Sequence, residues 1–174
     1  ILNKNKYWKA LIIGDEKREK IPLNHANAKI LGFKKHSEVI NIFKKTSITV
    51  ACSRWEEPFG RTSLEASANG CAVIITNKGG LPETVTDAKI MSILNVKTLT
   101  KHIQELIDKP ILRKKLQTLS IKNFYLTHQF VTGMIDYYRS EKFSYGKKFF
   151  TKKNKKKLRI LHVTNFNERL DGRL

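Results

Sequence analysis

Two glutamates in one short segment are the side chains of this sequence best suited to chemistry. Glu57 stands directly before Pro58-Phe-Gly60, and seven residues separate it from Glu65. A proline disfavours helical geometry in the residue before it, so Glu57 is expected on a loop. Gly60 allows the backbone to approach a ligand closely and to adopt unusual torsion angles. The segment therefore predicts a binding loop that carries a carboxylate.

A helix is predicted to begin near Thr62 and to run to about Asn69. Its first amides lack partners within the helix and its N-terminus is partly positive, so it offers a site for a diphosphate. Glu65 lies early enough in this helix to contact a sugar hydroxyl beside the phosphate. A carboxylate on each side of a row of amides suits a nucleotide sugar. Thr62-Ser-Leu-Glu65 also fits a capping box, in which both side chains only satisfy amides at the helix end.

Apolar runs and amphipathic stretches alternate along most of the chain. Strands are predicted within Trp8–Gly14, Ala28–Phe33, Ile48–Ser53, Ala72–Thr76 and Ile90–Leu94. Helices are predicted at Ser37–Thr46 with Ser37 as N-cap, and at Leu99–Asp108, Pro110–Leu126 and His128–Arg139. This alternation is typical of an α/β fold, a parallel sheet with helices on both faces. Ligands of such folds bind at the carboxyl ends of the strands, which is where the Glu57 segment lies.

Three motifs in a fixed order resemble a known enzyme class. They are Glu57-Pro-Phe-Gly-Arg-Thr-Ser-Leu-Glu65-Ala, Gly70-Cys-Ala-Val-Ile74 and Gly79-Gly-Leu-Pro-Glu83. Together they resemble the C-terminal, donor-binding half of GT-B glycosyltransferases, and more closely the retaining family 4 group. The resemblance covers about residues 1–140 and is specific at residues 53–85. It implies a Rossmann-like lobe, incomplete at its N-terminal edge, that binds a nucleotide-sugar donor, transfers the sugar with retention and needs no metal or other cofactor.

The same resemblance implies a role for individual residues. Glu57 is similar to the glutamate that contacts the donor sugar and helps to polarise the reacting centre, and Glu65 to the one that holds the ribose. The other implied donor contacts are the amides of Phe59, Gly60 and Arg61 along the sugar and phosphate, Thr62 and Ser63 at the diphosphate, and Ile30 and Leu31 beside the base. Gly79-Gly80 would form a structural turn behind the site.

Two parts that the resemblance implies are expected outside this chain. One is an Arg and a Lys that bind the diphosphate and would lie upstream of Ile1, and the other is the acceptor-binding lobe. A diphosphate needs charged donors to match its own charge. We therefore expect this chain to be inactive by itself and to bind a donor weakly at best.

The basic residues are unevenly distributed. The chain has 34 Lys and Arg against 15 Asp and Glu, a formal net charge of +19, and nine of the basic residues lie between Lys142 and Arg159 without any acid. Residues 141–157 are predicted to be a solvated linker, with an anionic membrane surface as the alternative contact. Leu158–Asn165, with Asp171-Gly-Arg173, resembles the first strand and loop of a further glycosyltransferase lobe, residues 158–174.

Other classes of protein are less compatible with the sequence. A hydrophobic fraction of 40% without an apolar run of about 20 residues argues against disordered and membrane-spanning classes. Cys52 and Cys71 lie in apolar runs without metal-ligand spacing, which favours a reducing, cytoplasmic location, with peripheral contact at the inner face of a membrane as an option. His36, His102 and His128 are interpreted as surface or capping residues.

Three alternatives to the glycosyltransferase interpretation remain open. The net charge of +19 also suits a basic nucleic-acid-binding module, although no nucleic-acid partner is expected. A nucleotide-sugar epimerase of related architecture would carry similar motifs. A nicotinamide-binding domain is disfavoured, because no Gly-x-Gly-x-x-Gly follows a predicted strand.

Overall fold

A computed structural model describes residues 1–14 and 22–147 of the chain. In chain order the elements are β1 (Ala10–Ile13), β2 (Ala28–Gly32), α1 (His36–Phe43), β3 (Ile48–Ala51), α2 (Arg61–Ala68), β4 (Ala72–Thr76), a 3-10 turn (Leu81–Thr84), β5 (Ala88–Met91), α3 (Val96–Asp108), α4 (Pro110–Lys122) and α5 (His128–Lys147). The predicted α/β alternation is confirmed. Residues 1–130 form one compact unit, and the second begins at Val131, within α5.

The strands form two parallel sets. β1 pairs with β2, and β4 pairs with β3 on one side and β5 on the other. All five residues of β4 are buried. Continuous burial of a short aliphatic strand is the pattern of a parallel strand with helices on both of its faces.

Each face of β4 has its own apolar core. On one face Val73 and Ile75 pack with Phe43 of α1 and Ala66 of α2. The opposite face has Ala72 and Ile74, which pack with two further side chains, Met91 of β5 and Leu106 of α3. Burying one such aliphatic side chain contributes about 1.5–3 kcal/mol, so these two layers hold the strand ends in place.

Two polar contacts join the segment before β1 to the helices α3 and α4. The Asn5 side-chain amide donates to Gln104 Oε1 at 2.9 Å. The Arg113 guanidinium lies 5.0 Å from the centre of the Trp8 ring, within the range of a cation–π interaction. The β1–β2 pair is thereby attached to the helices that cover β4.

Several element boundaries differ from the predicted ones. Ser37 is not the N-cap of α1, because the helix begins one residue earlier and the Lys35 amide is bound by the Glu38 carboxylate at 3.0 Å. β5 lies at Ala88–Met91 rather than Ile90–Leu94, in register with β4 from the Val73–Ala88 pair onward.

The later helices also differ from their predicted limits. α3 begins at Val96, because the Asn95 side chain accepts from the Thr98 amide at 2.7 Å and caps the helix there. α4 ends at Lys122 and α5 continues to Lys147. The predicted strand Leu158–Asn165 lies outside the described residues, as does most of the predicted linker.

Candidate functional site

Two loops meet at the carboxyl edge of the β3–β4–β5 sheet. We call residues 52–60, between β3 and α2, the Glu57 loop, and residues 77–80, after β4, the Gly79 loop. Thr76, the last residue of β4, joins their bases: its hydroxyl oxygen accepts from the Ser53 amide at 2.9 Å and donates to the Ser53 carbonyl at 3.0 Å. The strand ends thus bring together two segments that are about 20 residues apart in the sequence.

The backbone at Glu57 is held tightly by the Gly79 loop. The Gly80 amide donates to the Glu57 carbonyl at 2.7 Å. Gly79 has φ +51°, and a Cβ added there would overlap the backbone nitrogen and oxygen of Glu57. Only glycine tolerates both this torsion angle and this approach. The Gly79-Gly80 turn therefore lies directly against Glu57, whose side chain is half-buried.

The neighbouring acid, Glu56, makes the side-chain contacts. Its Oε2 accepts from the Gly79 amide at 2.5 Å, and its Oε1 accepts from Lys78 Nζ at 3.0 Å. The Lys78 contact and then the Gly79 amide hold the pKa of the Glu56 carboxyl below its ordinary value. These contacts favour the ionised form, so they are present near neutral pH and are lost as pH falls through the lowered pKa.

Helix α2 begins with glycine instead of a capping side chain. Gly60 is its N-cap with φ +90°, and it supplies no side chain to accept from the first amides of the helix. A Cβ on Gly60 would contact the Leu81 side chain, so the position also requires a small residue. The helix starts at Arg61, one residue before the predicted start at Thr62, and its first amides lie immediately after the Glu57 loop.

Ser63 and Thr84 form a buried link under the start of α2. The Ser63 hydroxyl donates to the Gly60 carbonyl at 2.7 Å, and its oxygen lies 2.7 Å from Thr84 Oγ1. Both side chains are buried. The sequence predicts Ser63 as a diphosphate contact, but its side chain points into this buried link. Only its backbone amide, which points toward the N-terminus of α2, is left for that contact.

The Glu65 carboxylate contacts two side chains, those of His36 and Arg61. The capping-box interpretation of Thr62 and Glu65 is wrong, because the N-cap is Gly60 and no side-chain cap is present. One oxygen of the Glu65 carboxylate lies 3.1 Å from His36 Nε2 and 3.4 Å from an Arg61 guanidinium nitrogen. The Glu65 side chain is 18% exposed, whereas that of His36 is 63% exposed. Among the described residues, the ion pairs and hydrogen bonds of the Glu65 side chain all involve this one oxygen, which leaves the other available to a ligand hydroxyl.

The structure brings most of the predicted residues to one edge of the molecule. Glu57, Phe59, Gly60, Arg61, Thr62, Ser63 and Glu65 lie on the Glu57 loop and the first two turns of α2. Ile30 and Leu31 lie at the end of β2, and the His36–Glu65 contact joins the helix that follows β2 to α2. Sequence reasoning missed Glu56, Lys78, His36 and Thr84, none of which carries a local signal of its contact.

Some features of the described part of the chain do not belong to this edge. Among residues 1–14 and 22–147 there is no group of three His, Cys, Asp or Glu side chains arranged to hold a metal ion. Burial raises the pKa of Cys52 to about 11 and also raises that of Cys71. An apolar surface depression of about 520 Å³ lies along α4 and contains none of the predicted site residues. No helix in the described ranges is both long and apolar enough to cross a membrane.

Parallel strands covered on both faces, with a glycine-led helix N-terminus at their carboxyl edge, are the arrangement of a Rossmann-like fold. The chain belongs to the family of glycosyl transferases group 1, whose sequence model matches residues 1–122. It is 35% identical over 114 residues to an uncharacterised glycosyltransferase of Methanocaldococcus jannaschii, covering 60% of this chain and 32% of that protein. It is 30% identical over 88 residues to spore coat protein SA of Bacillus subtilis, covering 48% and 23%.

Solved structures of glycosyltransferases have the same fold. A glycosyltransferase from Rickettsia africae superposes with a TM-score of 0.63 at 23% identity, over 80% of this chain and 42% of that one. Anabaena HepE in complex with UDP-glucose superposes with a TM-score of 0.57 at 18% identity, over 74% and 41%. The chain spans less than half the length of each of these relatives. These likenesses confirm the predicted α/β, Rossmann-like GT-B fold.

Proposed function

We propose that the chain is the donor-binding lobe of a retaining, family 4-like glycosyltransferase. In this proposal it binds a nucleotide sugar, and the sugar passes to an acceptor held by a separate lobe. Family membership supports nucleotide-sugar transfer in general. The observation that carries the donor role is the fixed position of Glu57, held by the Gly79-Gly80 turn directly before the N-terminus of α2.

In this proposal the carboxylates bind the sugars of the donor and the backbone amides bind its phosphates. Glu57 contacts the donor sugar and the reacting centre, while the amides of Phe59, Gly60 and Arg61 line the sugar and phosphate. The amides of Thr62 and Ser63 face the leaving nucleoside diphosphate, where the positive end of α2 stabilises the charge that develops as the bond breaks. No metal is required in this scheme.

The ribose and base would be bound on the other side of the phosphate. Glu65 accepts hydrogen bonds from the ribose hydroxyls through its free oxygen, because His36 and Arg61 hold the other one. Ile30 and Leu31 border the base at the end of β2. HepE was solved with UDP-glucose and with UDP, which makes this pair suitable first probes.

The test compares a nucleotide sugar with its nucleoside diphosphate on the same chain. By NMR titration, the unaltered chain should bind UDP-glucose, GDP-mannose or ADP-glucose more tightly than the matching diphosphate. Glu57→Gln should lower the ratio of nucleotide-sugar affinity to diphosphate affinity by about tenfold, because one hydrogen bond to a charged group is lost. The affinity for the diphosphate alone should change by less than about threefold. Glu105→Gln is the control, because it neutralises a carboxylate of the same type on α3, outside the site, where Glu105 is paired with Lys89 and Lys109.

Further outcomes separate the proposal from its competitors. The chain alone should show no sugar transfer, and robust transfer would contradict the assignment of the acceptor site to another lobe. Isomerisation of the sugar without an acceptor would favour a nucleotide-sugar epimerase. In a polypeptide that includes an acceptor lobe, NMR of the product should show the anomeric configuration of the donor, and inversion would exclude retention.

A further inference from the structure

Glu56 makes contacts unusual for an exposed carboxylate. Its side chain is 69% exposed, yet one oxygen binds the Gly79 amide and the other binds the Lys78 ammonium. An exposed ion pair alone contributes little, because water screens it. A carboxylate that also accepts from a backbone amide has a fixed direction, and it restrains the torsion angles of the segment that carries the amide.

The segment that Glu56 restrains is the one that holds Glu57. Gly79 packs against the Glu57 backbone with no room for a Cβ, and the next amide, that of Gly80, donates to the Glu57 carbonyl. Two hydrogen bonds thus connect the Glu56 carboxylate to the Gly79 loop and the Gly79 loop to the Glu57 backbone. This closes a small ring that includes both adjacent acids.

We propose that Glu56 is a positioning residue: its carboxylate fixes the Gly79-Gly80 turn, and the turn fixes the direction of the Glu57 side chain toward the donor sugar. The inference rests on the proposed function, because it assigns to Glu56 the placement of a sugar-binding glutamate. Glu56 itself does not touch the donor. The amide contact carries the effect, and the ion pair to Lys78 adds to it only weakly.

Three substitutions separate the amide contact from the ion pair. Glu56→Ala removes both contacts. Glu56→Gln keeps an oxygen that can accept from the Gly79 amide but loses the charge that attracts Lys78, and Lys78→Gln removes only the ammonium. Glu105→Ala on α3 is the control, since it also removes a lysine-paired carboxylate, at a place outside the site.

The first measurement is amide hydrogen exchange at Gly79 and Gly80 by NMR on this chain. Glu56→Ala should speed exchange at these two amides by about tenfold, because the Gly79 amide loses its charged acceptor and the turn that carries both amides is released. Glu56→Gln and Lys78→Gln should stay within about threefold of the unaltered chain. Unchanged exchange in Glu56→Ala would overturn the proposal.

The second measurement is the ratio of UDP-glucose affinity to UDP affinity. Glu56→Ala should lower this ratio by about fivefold, as a milder form of the Glu57→Gln effect, while UDP affinity itself changes less than about twofold. Glu56→Gln should restore the ratio. A merely structural role would weaken both ligands equally, and that result would overturn positioning.

The outcomes also distinguish this inference from the proposed function. If Glu57→Gln lowers the ratio and Glu56→Ala does not, Glu56 has no positioning role and the proposed function stands. If the unaltered chain has no preference for any of the three nucleotide sugars over its diphosphate, the donor role of this chain fails and the positioning role fails with it.

Discussion

At the scale of single residues, each proposed functional carboxylate has a neighbour that controls its position. The Glu57 backbone is held by Gly79 and Gly80, and one oxygen of Glu65 is held by His36 and Arg61. The support of Glu57 comes from a different loop, and that of Glu65 comes from His36 on α1 together with Arg61 on α2 itself. Preorganisation of this kind lowers the cost of binding, because the side chain does not have to be ordered by the ligand.

Gly79 offers the sharpest residue-scale prediction. Gly79→Ala should destabilise the chain by about 3 kcal/mol or more, because the new Cβ would both strain a left-handed residue and overlap the Glu57 backbone. Gly32→Ala is the matched control: Gly32 has φ +64° and open space around it, so only the torsional cost of about 1–2 kcal/mol applies. Urea unfolding measures both values. Equal losses would show that the contact with Glu57 carries no weight.

The sequence predicts the residue types of the site better than their partners. Glu57, the row of amides and Glu65 follow from local order, because proline, glycine and a helix start are local signals. Which of two adjacent acids binds the Gly79 amide depends on how two separate loops meet, and nothing in Glu56-Glu57 reveals it. The contact of His36 with Glu65 is hidden for the same reason, since 29 positions separate them.

At the scale of elements, α2 is joined to the 3-10 turn by the buried hydroxyl pair of Ser63 and Thr84. The pair lies under the N-cap glycine of α2, and the Leu81 side chain packs against the same glycine. The start of α2 is therefore fixed from below by one polar and one apolar contact. These contacts fix the position of the helix start but leave its first amides without a capping side chain.

A double-mutant cycle tests this link. Ser63→Ala should cost about 1–2 kcal/mol of unfolding free energy, because the Gly60 carbonyl loses its hydroxyl donor and the buried Thr84 hydroxyl keeps only its bond to the Leu81 carbonyl. Thr84→Val should cost a similar amount, and the double variant should cost about 1 kcal/mol less than the two losses together. Ser37→Ala, at an exposed position on α1, should stay within about 0.5 kcal/mol. Strict additivity in thermal or urea unfolding would contradict the link.

Element types were predictable, whereas their ends depended on contacts from elsewhere. Aliphatic runs such as Ala72–Thr76 identify buried strands without further information. The ends of β5 follow from its register with β4. The N-cap of α2 is Gly60, and no side chain in the sequence indicates its left-handed torsion angle. Both boundaries were therefore misplaced in the sequence prediction.

At the scale of the whole molecule, the net positive charge does not come from the proposed site. The chain carries +19, yet the proposed site contains two acids, and in the proposal its anion is bound by backbone amides and a helix end rather than by basic side chains. The basic stretch between Lys142 and Arg159 is a different feature. It is expected to be a solvated linker, and the alternative is contact with an anionic membrane surface, where each basic residue would contribute about 1 kcal/mol.

Vesicle binding tests the role of that stretch. If the stretch is only a linker, the full chain should not sediment with vesicles that contain phosphatidylglycerol; if it contacts a membrane, the full chain should sediment and a chain that ends at Glu141 should not. High salt should release the full chain, because ionic strength screens the attraction. Vesicles of phosphatidylcholine alone are the control. Salt-sensitive DNA binding that survives the same deletion would instead favour a basic nucleic-acid-binding module.

The division of the strands into two sets has a consequence for how the molecule behaves at high concentration. Among the described residues, four of the five strands have a hydrogen-bonded neighbour on one side only, where an unbroken five-stranded sheet would leave two such strands. Each unpaired side is a row of amides and carbonyls that another extended segment can join. Of the described strands, only β4 is paired on both sides. A neighbouring chain at high concentration is therefore expected to pair at whichever of these four sides faces solvent.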